Sequence, residues 1–597
     1  MRNTGTTCSV WLGLGVGILF SLLASSAWAI FVDEAETMRF NGRMYNRTAM
    51  AVNSAADNTR IQTPYNSWNM LQNRTFVQME LRHNLTDLIM GRSDGPLATL
   101  QSLLSPLGFL APDDFEYFVT YRGEYDGVWD FGPDVFSERF PLLSDCGPAS
   151  KVKQKKPQAF GCTQVDTRQR RRSRHRLFEA YINYTKGPLF VRIGRQNLSW
   201  GETDVFRLLD QINPLDASFG GFLVTLDERR IPLDMLRVVY GLGGVGPLSE
   251  LNLEGFMVAD DEVSTPTPAG SPWSTPNPAG IRSALKKPAR NFTDMRGGGR
   301  VVGVWGDFMF TVAHYYTYLD GATGRVVTPT GGSPLRLSEF RQAARQGEVG
   351  RYLFDNFQTN ILFPKVQISG ATLTFGLPSL SAIVRSEFAY FYAEPFFKNA
   401  SPSQLLGPIA DPDNFALTPG YSQVACPPSV SNDVCLRYKS DIDRSDVIRW
   451  SLGMDMDRYI QLLNPQQSFV ISGQIFGTHI LDFNDTKLSS VRDSFGFGHF
   501  AIPVLDPNRR NTSFVNMDQH QLVNTLSIST AYRSGAISPA LIFLYDWQGA
   551  WLVQPGITFT RDPFRFIIQY NYIDGQYNGI GFLRDRDNLI VQLEVVI

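Results

Sequence analysis

The sequence predicts an all-β protein, a transmembrane antiparallel β-barrel of about 18 strands with long outer loops and a small helical insert. Three observations lead there. An export signal opens the chain, runs of about ten residues alternate oily and wet positions along its length, and the gaps between runs alternate between short and long. Composition agrees: 12% of the 597 residues are aromatic and only 19% charged, and 51 Gly and 35 Pro punctuate the whole length. That is the profile of one large sheet rather than several mixed cores.

At the N-terminus, Arg2 forms a small positive region, an apolar run extends from Val10 to Leu23, and Ala27-Trp28-Ala29 offers a small-x-small cleavage site. The run is shorter than the ~20 residues of a spanning helix, so residues 1–29 are expected to be a signal peptide and 30–597 a single barrel domain. Cys8 precedes the apolar run and is lost with it. Cys146 with Cys162 and Cys426 with Cys435 each flank a polar stretch, which favours two local disulfides in an oxidising compartment.

Alternation places strands near 38–51, 76–85, 114–125, 177–185, 189–197, 235–241, 250–259, 299–306 and 308–318. Further strands follow near 366–375, 382–392, 449–457, 468–477, 520–531, 540–547, 551–559, 564–573 and 588–597. In the second strand Val77, Met79 and Leu81 are apolar while Gln78, Glu80, Arg82 and Asn84 are polar. In the third, Phe115, Tyr117, Val119 and Tyr121 interleave with Glu116, Thr120, Arg122 and Glu124. The last strand sets Leu589, Val591, Leu593, Val595 and Ile597 against Gln592 and Glu594. Ile597 departs from the Phe or Trp on which such barrels usually end. Tyr315 to Tyr318 and Phe388 to Tyr392 are expected to form interfacial girdles.

The gaps at 186–188, 306–307, 376–381, 533–538 and 560–563 read as periplasmic turns. Those at 126–176, 260–296, 319–364, 393–448 and 478–519 read as outer loops. Segment 86–113 is too long for a turn and holds the expected helix, around Leu97 to Leu104, as a periplasmic cap or plug. Gly241 to Gly246 matches a dinucleotide fingerprint by letter, but Pro247 and another strand follow, so it reads as a glycine-rich turn.

A net charge of -2 gives no global field for nucleic acid. The six histidines are scattered, and no zincin, haem, P-loop or serine-hydrolase motif occurs, so no catalytic residue, metal site or cofactor is expected and the chain is not read as an enzyme. Asp441, Asp443 and Asp446 lack the Gly and Glu of a calcium loop and read as solvated. Lys155, Lys156, Arg170, Arg171, Arg172 and Arg174 belong to a basic stretch that, on an outer loop, would meet lipopolysaccharide phosphates or draw anions to a channel mouth, or simply be solvated.

The stretch 198–234 differs from the other loops in being compact, mixed in charge and bounded by Gly and Pro. It is expected to fold against the barrel wall, where Arg195, Glu202, Asp204, Asp210, Arg229 and Arg230 would form facing charge rows at a constriction, or pair to hold the loop's shape.

The runs GRQNLSWGETD and LLDQINPLD, with RHNLTDLI and FEAYINYTKGPLFVRIGRQ, resemble the proteobacterial outer-membrane family called domain of unknown function thirteen-oh-two. The resemblance covers most of the mature chain. It implies an outer-membrane barrel, hydrophobic or lipid-like cargo and a periplasmic lipoprotein-like partner, and it brings no catalytic residues. The expected function is a porin-like channel or conduit in contact with outer-membrane lipid and lipopolysaccharide, placed there by the barrel-insertion machinery. The alternatives are a non-conducting scaffold for a periplasmic lipid-transfer or export partner and, third, a lipid-active barrel enzyme needing a Ser/His pair.

Overall fold

The computed structural model describes residues 30–31, 36–53, 66–89, 111–133, 172–265, 273, 282–321, 323–328, 333–348, 352, 356–397, 419–483, 490–492, 498–500, 518–576, 579–584 and 586–596. The expected signal peptide, the Cys146/Cys162 pair and the expected helix around Leu97 to Leu104 lie outside them. Of segment 86–113, a helical turn at Thr86–Ile89 is described. No helix among the described residues is long and apolar enough to cross a membrane.

Strands carry the crossing. In chain order they are β1 (Met38–Ala51), β2 (Met70–Asn84), β3 (Asp114–Asp126), β4 (Ser173–Lys186), β5 (Leu189–Gln196) and β6 (Leu233–Val245). Next come β7 (Leu248–Val258), β8 (Arg296–Trp305), β9 (Phe308–Tyr318), β10 (Lys365–Leu377), β11 (Ala382–Phe397) and β12 (Ile442–Arg458). The ring is completed by β13 (Phe469–Ile480), β14 (His520–Ser529), β15 (Ile537–Asp546), β16 (Ala550–Arg561), β17 (Phe564–Gly575) and β18 (Asn588–Val596). Each pairs antiparallel with the next, and β18 returns to β1 with Val591 opposite Thr48. Closure leaves no unpaired edge, which a sheet in lipid cannot tolerate. A two-residue strand, Ile30–Phe31, adds to β1.

Alternation decides which side chain meets lipid. Val312 (56% exposed), Leu593 (54%) and Leu177 (53%) face outward, while Glu124 (3%), Gln592 (5%) and Glu594 (5%) face the lumen. The aromatic clusters split by the same rule: Tyr316, Phe388 and Tyr392 point outward, whereas Tyr315 and Phe391 are fully buried inside. Only half of each expected girdle is therefore on the lipid side. Val312 sits mid-strand in β9, so Val312→Arg is expected to cost about 2–4 kcal/mol of folding free energy in lipid vesicles. A cost near zero in urea titrations would place it outside the apolar band.

Several boundaries differ from those expected. β4 begins at Ser173 and β12 at Ile442, so Arg174, Arg176, Asp443 and Asp446 stand on strands rather than loops. These strand ends carry polar residues on both faces, which erases the oily half of the pattern. Residues 241–245 continue β6 with two register shifts, and the turn itself is Gly246-Pro247.

The two ends of the barrel are unlike. At one end, gaps such as 187–188, 246–247, 306–307 and 562–563 are two residues long; at the other lie 127–172, 197–232, 259–295, 319–364, 398–441 and 481–519. Part of the long-loop end forms small sheets that are not hydrogen-bonded into the ring of the wall. Arg282–Lys286 pairs in parallel with Gln358–Leu362, which pairs with Thr323–Val327, and Cys435–Tyr438 joins Tyr421–Val424 and Leu335–Arg336. Val326, Leu335, Phe357, Leu436 and Tyr438 form its core. Helix α1 (Leu337–Arg345) buries Leu337, Phe340 and Ala343 on one face, and Cys426 and Cys435 are disulfide-bonded.

Candidate functional site

The segment 197–232, between β5 and β6, turns into the barrel. Its apolar residues Leu198, Trp200, Phe206, Leu209 and Ile212 share one core with lumen-facing Met235, Phe256, Tyr315, Ile368, Phe391 and Phe476. Trp200 packs edge-on against Phe256 (5.0 Å) and Tyr315 (5.6 Å). Gly201 adopts φ 145°, and a Cβ there would lie 3.1 Å from a carboxylate oxygen of Glu387. Only glycine allows that approach without strain.

Two sets of polar contacts hold the segment, one on each side of the lumen. On β11, the carboxylate of Glu387 accepts the backbone N–H groups of Glu202 (2.7 Å) and Leu209 (2.5 Å). Arg385 pairs with Asp204 (2.7 Å) and with Asp455 of β12 (2.7 Å), and Gln474 of β13 donates to Asp204 (2.8 Å). From β9, the Tyr315 hydroxyl donates to the Leu209 carbonyl (2.5 Å) and Thr317 to that of Gln211 (3.0 Å).

On the other side, Glu228 accepts from Tyr45 of β1 (2.6 Å) and Arg74 of β2 (2.8 Å), and also pairs with Arg43. Arg74 pairs in turn with Glu124 of β3, and Arg174 of β4 joins Glu124 to Asp216 of the segment. In a ring of 18 strands, β2 and β11 are half a circumference apart, so the segment spans the lumen from wall to wall. It also descends: Arg385 is the fourth residue after the short-turn end of β11, roughly 10 Å along the strand.

Burial and charge act in opposite directions on these groups. Burial would raise Glu228, yet Arg74, Arg47 and Arg43 outweigh it and bring the carboxyl down to about 2. Asp216 behaves alike: burial opposes, but Arg174 and Arg176 hold it well below the usual carboxylate range. Glu202 is shifted up by burial against the moderating charge of Arg385. Arg229 falls to about 10, through burial first and then the neighbouring charge of Arg207.

These shifts carry a sign. A carboxyl depressed in the folded state stabilises it fully above its unfolded value, about 4.5, and the contribution is lost as pH falls through 4.5 toward about 2. For Glu228 that is roughly 3 kcal/mol. Protease cleavage of the segment is therefore expected to rise between pH 4.5 and 2 in the wild type, using an acid-active protease. In Glu228→Gln, cleavage should already be elevated at neutral pH, with a flatter acid response. Identical profiles for the two proteins would refute the assignment.

The six residues expected at a constriction are placed as follows. Asp204 (side chain 55% exposed) binds Arg385 and Gln474. Glu202 is half-buried beside Glu387. Asp210 pairs with Arg230 (2.5 Å) and with Arg207 (3.4 Å), and Arg230 also pairs with Asp227 (2.6 Å). Arg229 is half-buried, with its Nε unbonded. Arg195 lies apart from this group, facing Asp260 (3.6 Å) and Asp234 (4.0 Å). In the basic stretch, Arg172 pairs with Asp130 (2.7 Å) and Arg174 points into the lumen network; Lys155, Lys156, Arg170 and Arg171 lie outside the described residues. Asp260, Asp261 and Glu262 converge, but Arg195, Arg290 and Lys287 respectively balance them.

Arg74, Glu124, Asp216, Glu228, Arg385 and Glu387 escaped the sequence reading as a site. The strand residues among them appear only as wet positions in an alternating pattern; their partners are 42 to 185 residues away.

A closed, membrane-spanning β-barrel with a folded segment across its lumen defines the class of protein. The chain belongs to the family described as "Protein of unknown function (DUF1302)", whose model matches residues 11–595. No curated protein matches the chain. Among solved structures it is similar to OccAB1 of Acinetobacter baumannii, at 8% identity and a TM-score of 0.40, covering 96% of this chain and 99% of that one. It is similar also to OccD3 of Pseudomonas aeruginosa (9%, 0.36, covering 96% and 94%) and to the outer membrane channel DcaP of Acinetobacter baumannii (7%, 0.33, covering 96% and 100%). Likeness at this level carries no inference about what passes or binds.

Proposed function

We propose that the protein is an outer-membrane, porin-like channel whose aperture is set by the segment 197–232. The observation that carries this reading is the attachment of one segment to opposite walls of the lumen, through Glu228 on one side and Glu387 with Arg385 on the other. Such a crossing reduces a wide ring to the space beside it, where Asp204, Glu202, Arg229 and Arg230 stand partly exposed. Charge rows at a narrowing select by sign and size without any covalent step. The long loops face the exterior and the short turns the periplasm, as barrels of this kind are built. Small solutes, including the hydrophobic or lipid-like ones the family resemblance suggests, are the proposed cargo.

One feature favours a second reading. Trp200, Phe206 and Ile212 are packed in the lumen as tightly as a protein core, as in a plugged barrel that serves as a scaffold for a periplasmic lipid-transfer or export partner. Planar-bilayer recordings separate the two. The channel reading expects discrete conductance steps from the purified wild-type barrel; insertion with no conductance at any voltage supports the scaffold.

The third option requires a Ser/His pair, and His314 and Ser369 do share a hydrogen bond (2.8 Å). They are register partners on β9 and β10, in a stretch where β10 is paired on both sides. Its backbone N–H groups are thus committed to the sheet and do not form an oxyanion hole. The pair is better explained as two outward polar groups satisfying each other.

A further inference from the structure

His479 is the penultimate residue of β13 and His520 the first of β14, and the two are direct register partners. Their flanking residues Ile480 and Gln521 are buried on the lumen side, so both imidazoles point away from the lumen, at the long-loop end. The rings stack with centroids 4.3 Å apart and an interplanar angle of 22°. Their Nδ1 atoms are 2.9 Å apart. Two nitrogens at that distance share one proton: one ring donates and the other accepts.

We infer that His479 and His520 form a binding site for a borderline divalent transition-metal ion such as Zn²⁺, Ni²⁺ or Cu²⁺. Imidazole is a preferred ligand for these ions. With metal–nitrogen bonds of about 2.0–2.1 Å in a tetrahedral shell, two ligand nitrogens stand roughly 3.3 Å apart. To admit the ion the nitrogens separate by about 0.4 Å, and because each lone pair lies in its ring plane, the stacked rings also turn until those planes converge on the metal. The donor ring moves its proton from Nδ1 to Nε2, both Nδ1 lone pairs then face the metal, and no proton is lost. Water completes the coordination. Because the two histidines sit at opposite ends of the connection 481–519, a bound ion would tie together the neck of that long loop.

The site is tested with Cu²⁺ on the full-length barrel in detergent, with any affinity tag removed. Electron paramagnetic resonance should report two equatorial nitrogens in the wild type. Zn²⁺ titration against a chromophoric chelator should give one site per chain. His479→Gln and His520→Gln preserve a hydrogen-bonding side chain; each is expected to weaken binding at least tenfold and to reduce the spectrum to one nitrogen, with the heat-modifiable gel shift of a folded barrel retained. A wild type that binds no ion up to millimolar concentration, or folded single variants that bind as the wild type does, would overturn the assignment.

Discussion

Glu387→Ala is expected to raise the single-channel conductance several-fold and to make the open level noisy. The carboxylate of Glu387 holds two backbone N–H groups of the crossing segment, those of Glu202 and Leu209, which are well separated along the loop but gathered on one side chain. Losing the acceptor orphans both donors in a buried setting, at about 1–3 kcal/mol each. The remaining attachments are Arg385 and Gln474 to Asp204 at one end of the held stretch, and the Tyr315 and Thr317 hydroxyls to the Leu209 and Gln211 carbonyls at the other. The stretch between Glu202 and Leu209 should then loosen from β11, still tethered at its ends, while the barrel stays closed, since Glu387 makes its ladder contacts through its backbone. Glu387→Gln is the milder control, because its amide oxygen still accepts while its NH₂ opposes one donor. An unchanged conductance in the alanine variant would mean that this anchor does not govern the aperture.

Arg74→Ala carries the largest expected loss of stability. Arg74 is 1% exposed and lies between Glu124 and Glu228, both nearly enclosed. Its guanidinium also lies 5.8 Å from the centre of the Tyr45 ring and 5.2 Å from that of Phe76. Removing it leaves two buried carboxylates without their shared cation, and breaking such a network from one side costs about 3–5 kcal/mol. Denaturant titration in lipid vesicles should show that shift. Arg74→Met, which keeps most of the volume, should still lose much of that stability, and adding Glu228→Gln, which removes the partner charge of one ion pair, should recover part of it; a full recovery in Arg74→Met alone would show that packing, rather than charge, explains the position.

What the sequence made legible follows from the period of a strand. All 18 strands lie where oily and wet residues alternate, because lipid on one side and lumen on the other act on every second residue. The pattern fades where both faces are polar, as at Ser173 to Arg176, and there the strand end resembles a loop in sequence. It also cannot say which residue of an aromatic run faces inward: Tyr315 and Tyr316 look alike in sequence and face opposite ways. The crossing segment stood out by its compact, mixed-charge composition. Its anchors did not, since Glu228 reaches Arg74 over 154 residues and Glu387 reaches Glu202 over 185. Such pairing is a product of ring closure and leaves no local trace.

The most direct test of a segment crossing the lumen is a double-cysteine barrel, Asp204→Cys with Gln474→Cys, built where the two side chains now meet at 2.8 Å. A short bifunctional thiol cross-linker, which spans the length lost from the two side chains, is expected to join the two positions within one chain, detected as a cross-linked peptide by mass spectrometry, and to lock the conductance at its low level. Two cysteines that stay unjoined and react freely with a maleimide would contradict it.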